Sequence, residues 1–169
     1  MAAEKGIRVH DVQIEVVLLS VRVPASGDPQ LRWRIARGDL PTGWRPDTRA
    51  RELAGLDTTV PTATVVHSTS WRHGPVGLIL TYAVLPDPNP AEGTVHAVPA
   101  DAHIVCSADA AAPTPTVVEM EHVVAHALRH LSLIARTCPS VAVAVDVHSQ
   151  LWHAVSAHAP DVAGQLVDS

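Results

Sequence analysis

Phenylalanine is absent from this 169-residue chain and tyrosine occurs once, so aromatic residues make up only 3% of it. The core must therefore be filled by Val, Leu, Ile and Ala, with Trp33, Trp44, Trp71, Trp152 and Tyr82 as the only large rings. Lysine is reduced to Lys5, and every other basic residue is an arginine, a bias of the kind a GC-rich genome produces and no evidence of a binding role. The net charge of −5 argues against sequence-independent nucleic-acid binding, and 47% hydrophobic against 17% charged residues excludes a disordered tail. Cysteine is scarce too: Cys106 and Cys138 form no C-x-x-C and flank a helical stretch, which predicts free thiols and no disulfide framework. No segment approaches the roughly 20 uninterrupted apolar residues of a membrane span. Met1 to Gly6 lacks the basic start and apolar block of a secretory signal. These absences lead to the expectation of a single globular domain in the cytoplasm.

What is present is organised by strand patterns first. Val12 to Val23 is β-branched on both parities, the mark of a strand covered on both faces, and it stops at a Pro-Gly-Pro turn. Gln30 to Ala36 alternates, with Leu31, Trp33 and Ile35 on one side and Arg32 and Arg34 on the other, which predicts a hairpin partner with one basic face. After Leu40-Pro41-Thr42-Gly43-Trp44-Arg45-Pro46, Asp47 is the expected cap of a short helix ended by Gly55. Two further strands are expected at Thr62 to Ser70 and Val76 to Leu85, joined through Trp71-Arg72-His73-Gly74-Pro75. Short strands at Thr94 to Val98 and His103 to Cys106 are weaker expectations within a Pro- and Ala-rich connection. Val117 to Arg136 carries the clearest helical period, barred from continuing by Pro139. From Ser140 the text fits a strand or a helix, and helix is the better reading.

This order of elements, with its arginine-bearing strand, Leu-Pro-x-Gly entry and Arg51-Glu52-Leu53-Ala54 centre, resembles the Nudix hydrolase superfamily. The resemblance implies an α/β/α sandwich with a mixed sheet, its core at residues 9–88 plus the helix at 117–136, and residues 139–169 as a C-terminal helical extension. It also implies a catalytic box on a loop-helix-loop that holds Mg²⁺ or Mn²⁺ for diphosphate hydrolysis. The chain departs from that box. The family places a glutamate at the sixth position after its glycine, where this chain has Arg49, and the expected Glu-Glu-x triplet is missing between Ala54 and Gly55. In the family, three carboxylates share one helical face at i, i+3 and i+4; from Glu52 those positions are Gly55 and Leu56. Glu52 alone would remain as a metal ligand and catalytic carboxylate, unless Glu119 or Glu121 supplies a replacement. Both acids equally suit a helix N-terminus through its dipole.

Other constellations remain open. His122, His126 and His130 recur at i, i+4 and i+8, so they share one helical face, but no intervening Glu or Cys cluster accompanies them and no structural metal is expected there. His67 and His73 flank the turn after the box and are candidates for acid–base work. Trp44 and Trp71, with Arg32, Arg34 and Arg51, would suit an anionic, ring-bearing small molecule, since a guanidinium donates a bidentate fork to phosphate. Solvated arginines and sheet-covering tryptophans would leave the same pattern. Three functions therefore compete: a Nudix-type binder with weak or lost hydrolysis, an active divergent pyrophosphohydrolase, and a repurposed enzyme using histidine chemistry. Each takes a small-molecule partner and neither nucleic acid nor a membrane, and a homodimer is compatible with all three.

Overall fold

The computed structural model describes residues 12–160 apart from 26, 58–62, 76, 100, 110 and 113–114. Strands β1 (Val12–Arg22) and β2 (Gln30–Asp39) form an antiparallel hairpin, with Leu18 opposite Arg34. A loop leads to helix α1 (Pro46–Leu53), and a second antiparallel pair follows, β3 (Val65–Gly74) and β4 (Gly77–Leu85). β4 lies parallel to β1, with Glu15 opposite Thr81. A two-residue strand β5 (His96–Ala97) pairs with β2 and completes a mixed sheet in the order β3-β4-β1-β2-β5. Helix α2 (Met120–Thr137) is followed by a 3-10 turn (Pro139–Val141), helix α3 (Ala142–Val147) and helix α4 (Ser149–Ser156).

The doubly branched β1 pattern has the expected cause, because the sheet is covered on both faces. Ile14, Val16 and Leu18 pack with Ala50 of α1 and with its C-cap residue Ala54. Val17 and Leu19 point the other way and pack with Val124, Leu128 and Leu131 of α2 and with Leu151, Trp152 and Val155 of α4. Each fully buried aliphatic side chain in these layers contributes about 1.5–3 kcal/mol by leaving water. The protein is thus an α/β fold with a mixed sheet. Among the described residues, no single helix is long and apolar enough to cross a membrane.

Several boundaries differ from expectation. Asp47 does not cap α1: Arg45 holds the N-cap, Pro46 occupies the first turn where its missing N–H costs nothing, and Asp47 sits one place later, paired with Arg45. Arg37 belongs to β2, which runs three residues beyond Ala36. Trp71, Arg72 and His73 are strand residues of β3, so the turn to β4 is much tighter than the five-residue link expected. Thr62 and Val76, the expected starts of these two strands, lie outside the described residues. His103 to Cys106 forms no regular element, and Thr94 to Val98 contributes only β5. Val117 is 60% exposed and precedes α2, which starts at Met120 with Glu119 as its N-cap. From Pro139 to Ser156 the tail is helical, broken at His148, and residues 161–169 of the expected extension lie outside the described residues.

Candidate functional site

The site expected from the box lies on the α1 face of the sheet. Gly55, with φ +71°, ends α1 in the left-handed conformation that a C-terminal glycine supplies, so the turn carrying the paired box carboxylates in the Nudix pattern is absent here. Glu52 is exposed and ion-paired with Arg49 one turn earlier, while Arg49 Nε also donates to the Asp39 carbonyl at 3.0 Å. This arginine lies against Gly38, where a Cβ would stand 2.5 Å from its guanidinium, so glycine is what lets α1's side chain lie flat on the strand. One exposed carboxylate already committed to an arginine does not fit a Mg²⁺ or Mn²⁺ cluster, which needs several oxygen ligands. Glu119 is the N-cap of α2 and Glu121 lies in its first turn, and α2 packs on the opposite face of the sheet from α1. Glu119 is used at the helix start, where its side chain accepts from the His122 backbone N–H and its own N–H donates to His122 Nδ1 at 3.1 Å.

The basic face of β2 divides. Arg34 is 7% exposed and binds Asp87 through both Nε (2.6 Å) and Nη2 (2.8 Å), with Glu92 a further 3.7 Å contact. Its fork is therefore spent inside the protein; the bond to Asp87 raises its already high pKa. Arg32 is half-buried and Arg51 exposed. Trp44 and Trp71 are 43% and 64% exposed, and Trp71 stands edge-on to His73 with ring centroids 6.3 Å apart. Tyr82 faces α1 as well, its phenol pushed up by burial and by the nearby Asp47 carboxylate. The α1 face thus presents two exposed indoles, a histidine and exposed guanidiniums.

A second polar centre, invisible as such in the sequence, is buried on the α2 face. Glu15 is fully buried in the middle of the sheet, held by Arg72 Nη1 and Nη2 at 2.8 and 2.9 Å, by Arg37 Nε at 2.8 Å and by the Thr81 hydroxyl at 3.2 Å. Burial pushes its pKa up, but the two guanidiniums outweigh burial and hold the carboxyl below its ordinary value. Arg72 reaches this face only because of a bulge in β3: Ser68 opposes Tyr82 and Ser70 opposes Thr81, leaving Thr69 as an extra residue. His67, before the bulge, points to the same α2 face and meets His130 Nε2 to Nε2 at 3.4 Å; His73, after it, points to the α1 face. The two candidate acid–base histidines are therefore on opposite sides of the sheet. Burial, and then the neighbouring His130, lower the His67 pKa. A groove of about 490 Å³ between the start of β2, β5 and α4, bordered by Asp28, Leu31, Val98, His153 and His158, includes none of the candidate site residues in its lining.

No family model, curated protein or solved structure matches the chain.

Proposed function

We propose that the chain is a divergent Nudix-type protein that binds a nucleotide-like or other diphosphate-bearing aromatic ligand on its α1 face and hydrolyses diphosphates weakly or not at all. The observation that carries this reading is the state of α1: its single box carboxylate, Glu52, is paired with Arg49, and Gly55 stands where the metal-binding pair would begin. Without several converging carboxylates, divalent cations are not clamped and charge on a diphosphate is not neutralised along the reaction path. Binding needs less. Exposed Trp44 and Trp71 offer stacking surfaces, and exposed Arg51 with half-buried Arg32 offers donors to phosphate oxygens. Arg34 is left out of this set because Asp87 occupies its fork.

The test is a screen of nucleoside diphosphates, dinucleotides and nucleotide sugars with Mg²⁺ or Mn²⁺, following binding by calorimetry and product release in the same samples. Saturable binding with negligible turnover is the expected result. Robust Mg²⁺-dependent cleavage abolished by Glu52→Gln would overturn the reading in favour of an active hydrolase.

A further inference from the structure

The strongest feature left over is the histidine seam between β3 and α2. Five imidazoles lie along it in two groups: His103 with His122 (5.2 Å between centroids), and His126 with His130 (5.9 Å) and His130 with His67 (4.9 Å). The sequence shows the α2 members as a stripe on one helix, for which no structural metal is expected; His67 arrives from a different element, 63 residues away, and changes the geometry.

We propose that His67 and His130 chelate a single borderline divalent cation of the zinc, nickel or copper type through their Nε2 atoms. A magnitude distinguishes this from a simple hydrogen bond. An N–H donor and a nitrogen acceptor prefer about 2.7–3.2 Å, and the 3.4 Å found here is long for that. Two nitrogens each about 2.0–2.1 Å from one tetrahedral ion stand about 3.3 Å apart. The spacing is thus at the long end for a shared proton and matches that of two ligands on one cation. Both rings are held before any ion arrives, His67 half-buried on a strand and His130 on a long helix, so little side-chain entropy is lost on binding.

The same details limit the affinity. Among the described residues no three His, Cys, Asp or Glu side chains converge as a ready metal group, so water would complete the coordination sphere. His130 Nδ1 is buried without a protein partner, and a ligating imidazole lacking an acceptor for its other N–H loses about 10–100-fold in metal affinity. A micromolar rather than nanomolar site follows. Mg²⁺ is not expected to bind, because imidazole nitrogen suits zinc, nickel and copper, whereas hard cations prefer oxygen.

The experiment uses the untagged full chain, titrated with Zn²⁺, Ni²⁺ and Mg²⁺. Calorimetry should show one Zn²⁺ or Ni²⁺ per chain and no Mg²⁺. The melting temperature should rise by about 3–6 °C when free ion is about ten times its Kd. His67→Gln and His130→Gln should each abolish the rise, and His153→Gln on exposed α4 surface should leave it intact. No rise, or a rise that survives both His67→Gln and His130→Gln, would mean that ions bind other histidines only and would overturn the proposal. If either variant folds poorly, electron spin resonance of Cu²⁺ on the wild-type chain decides: nitrogen couplings from at least two imidazoles support the chelate, and fewer refute it.

Discussion

Replacing Glu15 by Ala should be among the most damaging single changes in the protein, and its cost can be worked from the geometry. The carboxylate is fully buried, and its partners differ in how they can respond to its loss. The Arg37 side chain is 45% exposed and can turn to water, whereas that of Arg72 is only 15% exposed. Removing the acid leaves the Arg72 guanidinium uncompensated under α2, and breaking a buried pair in this way costs about 3–5 kcal/mol. That is a large part of the total of about 5–15 kcal/mol that holds a domain together. In a chain of this size each kcal/mol moves the melting temperature by about 2–4 °C, so a fall of about 6–20 °C is expected at neutral pH, read by circular dichroism and confirmed by urea titration. The double variant Glu15→Leu/Arg72→Leu should lose clearly less than the sum of its single changes, because it removes both charges together. A drop below about 1 kcal/mol for Glu15→Ala, or simple additivity in the double variant, would refute the claim that this cluster organises the sheet. The pH dependence has a fixed sign. The folded carboxyl titrates below its ordinary 4.5, so its contribution is complete above that value and is lost as pH falls through the lowered one; wild type should lose stability on acidification in that range, and Glu15→Gln should show a shallower slope there.

Trp44→Ala and Trp71→Ala, at exposed positions, should change the melting temperature little while weakening any nucleotide-like ligand found in the screen, by about 1–3 kcal/mol if a base stacks on the ring; unchanged affinity in both would remove the α1 face as the binding surface. Glu52→Gln should alter any residual diphosphate hydrolysis less than about threefold, whereas a loss of about 10²-fold, shared non-additively with Glu119→Gln or Glu121→Gln, would show a rebuilt metal clamp. His67 is held neutral by burial and by His130, so its folded pKa lies below 6.5. The unfolded chain then takes up the proton first, and stability should fall as pH drops below about 6.5, a slope that His67→Gln should flatten in melts across this range.

The parts of the fold legible in the sequence were those governed by local pattern. β1 announced its double burial through β-branching on both parities, and α2 announced itself through a long helical period that ends before Pro139. Where several patterns coexist, the text was less informative. Val141, Val143, Val145 and Val147 alternate like a strand, but the chain is helical there, with Val141 and Ala144 buried and Val143 and Val147 exposed at 69% and 61%. Packing of one helical face agrees with the helical period, the reading preferred over the strand-like alternation. The role of Arg34 was unreadable for a different reason. Its alternation with Arg32 was visible, but its partner Asp87 lies 53 residues away, just past β4, and is brought beside it by the order of strands in the sheet.

The candidate site depended on one residue that carries no signal. From His67, strict alternation along β3 would send residues 69, 71 and 73 to the α2 face and Arg72 to the α1 face. Thr69 interrupts this: it is buried, its hydroxyl donates to the Thr81 carbonyl at 3.3 Å, and the strand beyond it is turned over. Trp71 and His73 thereby join Trp44 on the α1 side, while Arg72 becomes the bidentate partner of Glu15 on the other. Both features need the same extra residue. Without it Glu15 would be left with the half-exposed Arg37 as its only cation, and the ring of Trp71 would turn from the α1 face to the α2 face. Bulges often show themselves by a glycine, yet Ser68-Thr69-Ser70 contains none and reads as ordinary strand. A sequence reading could thus find the residues of the site but could not assign them to the correct side of the sheet.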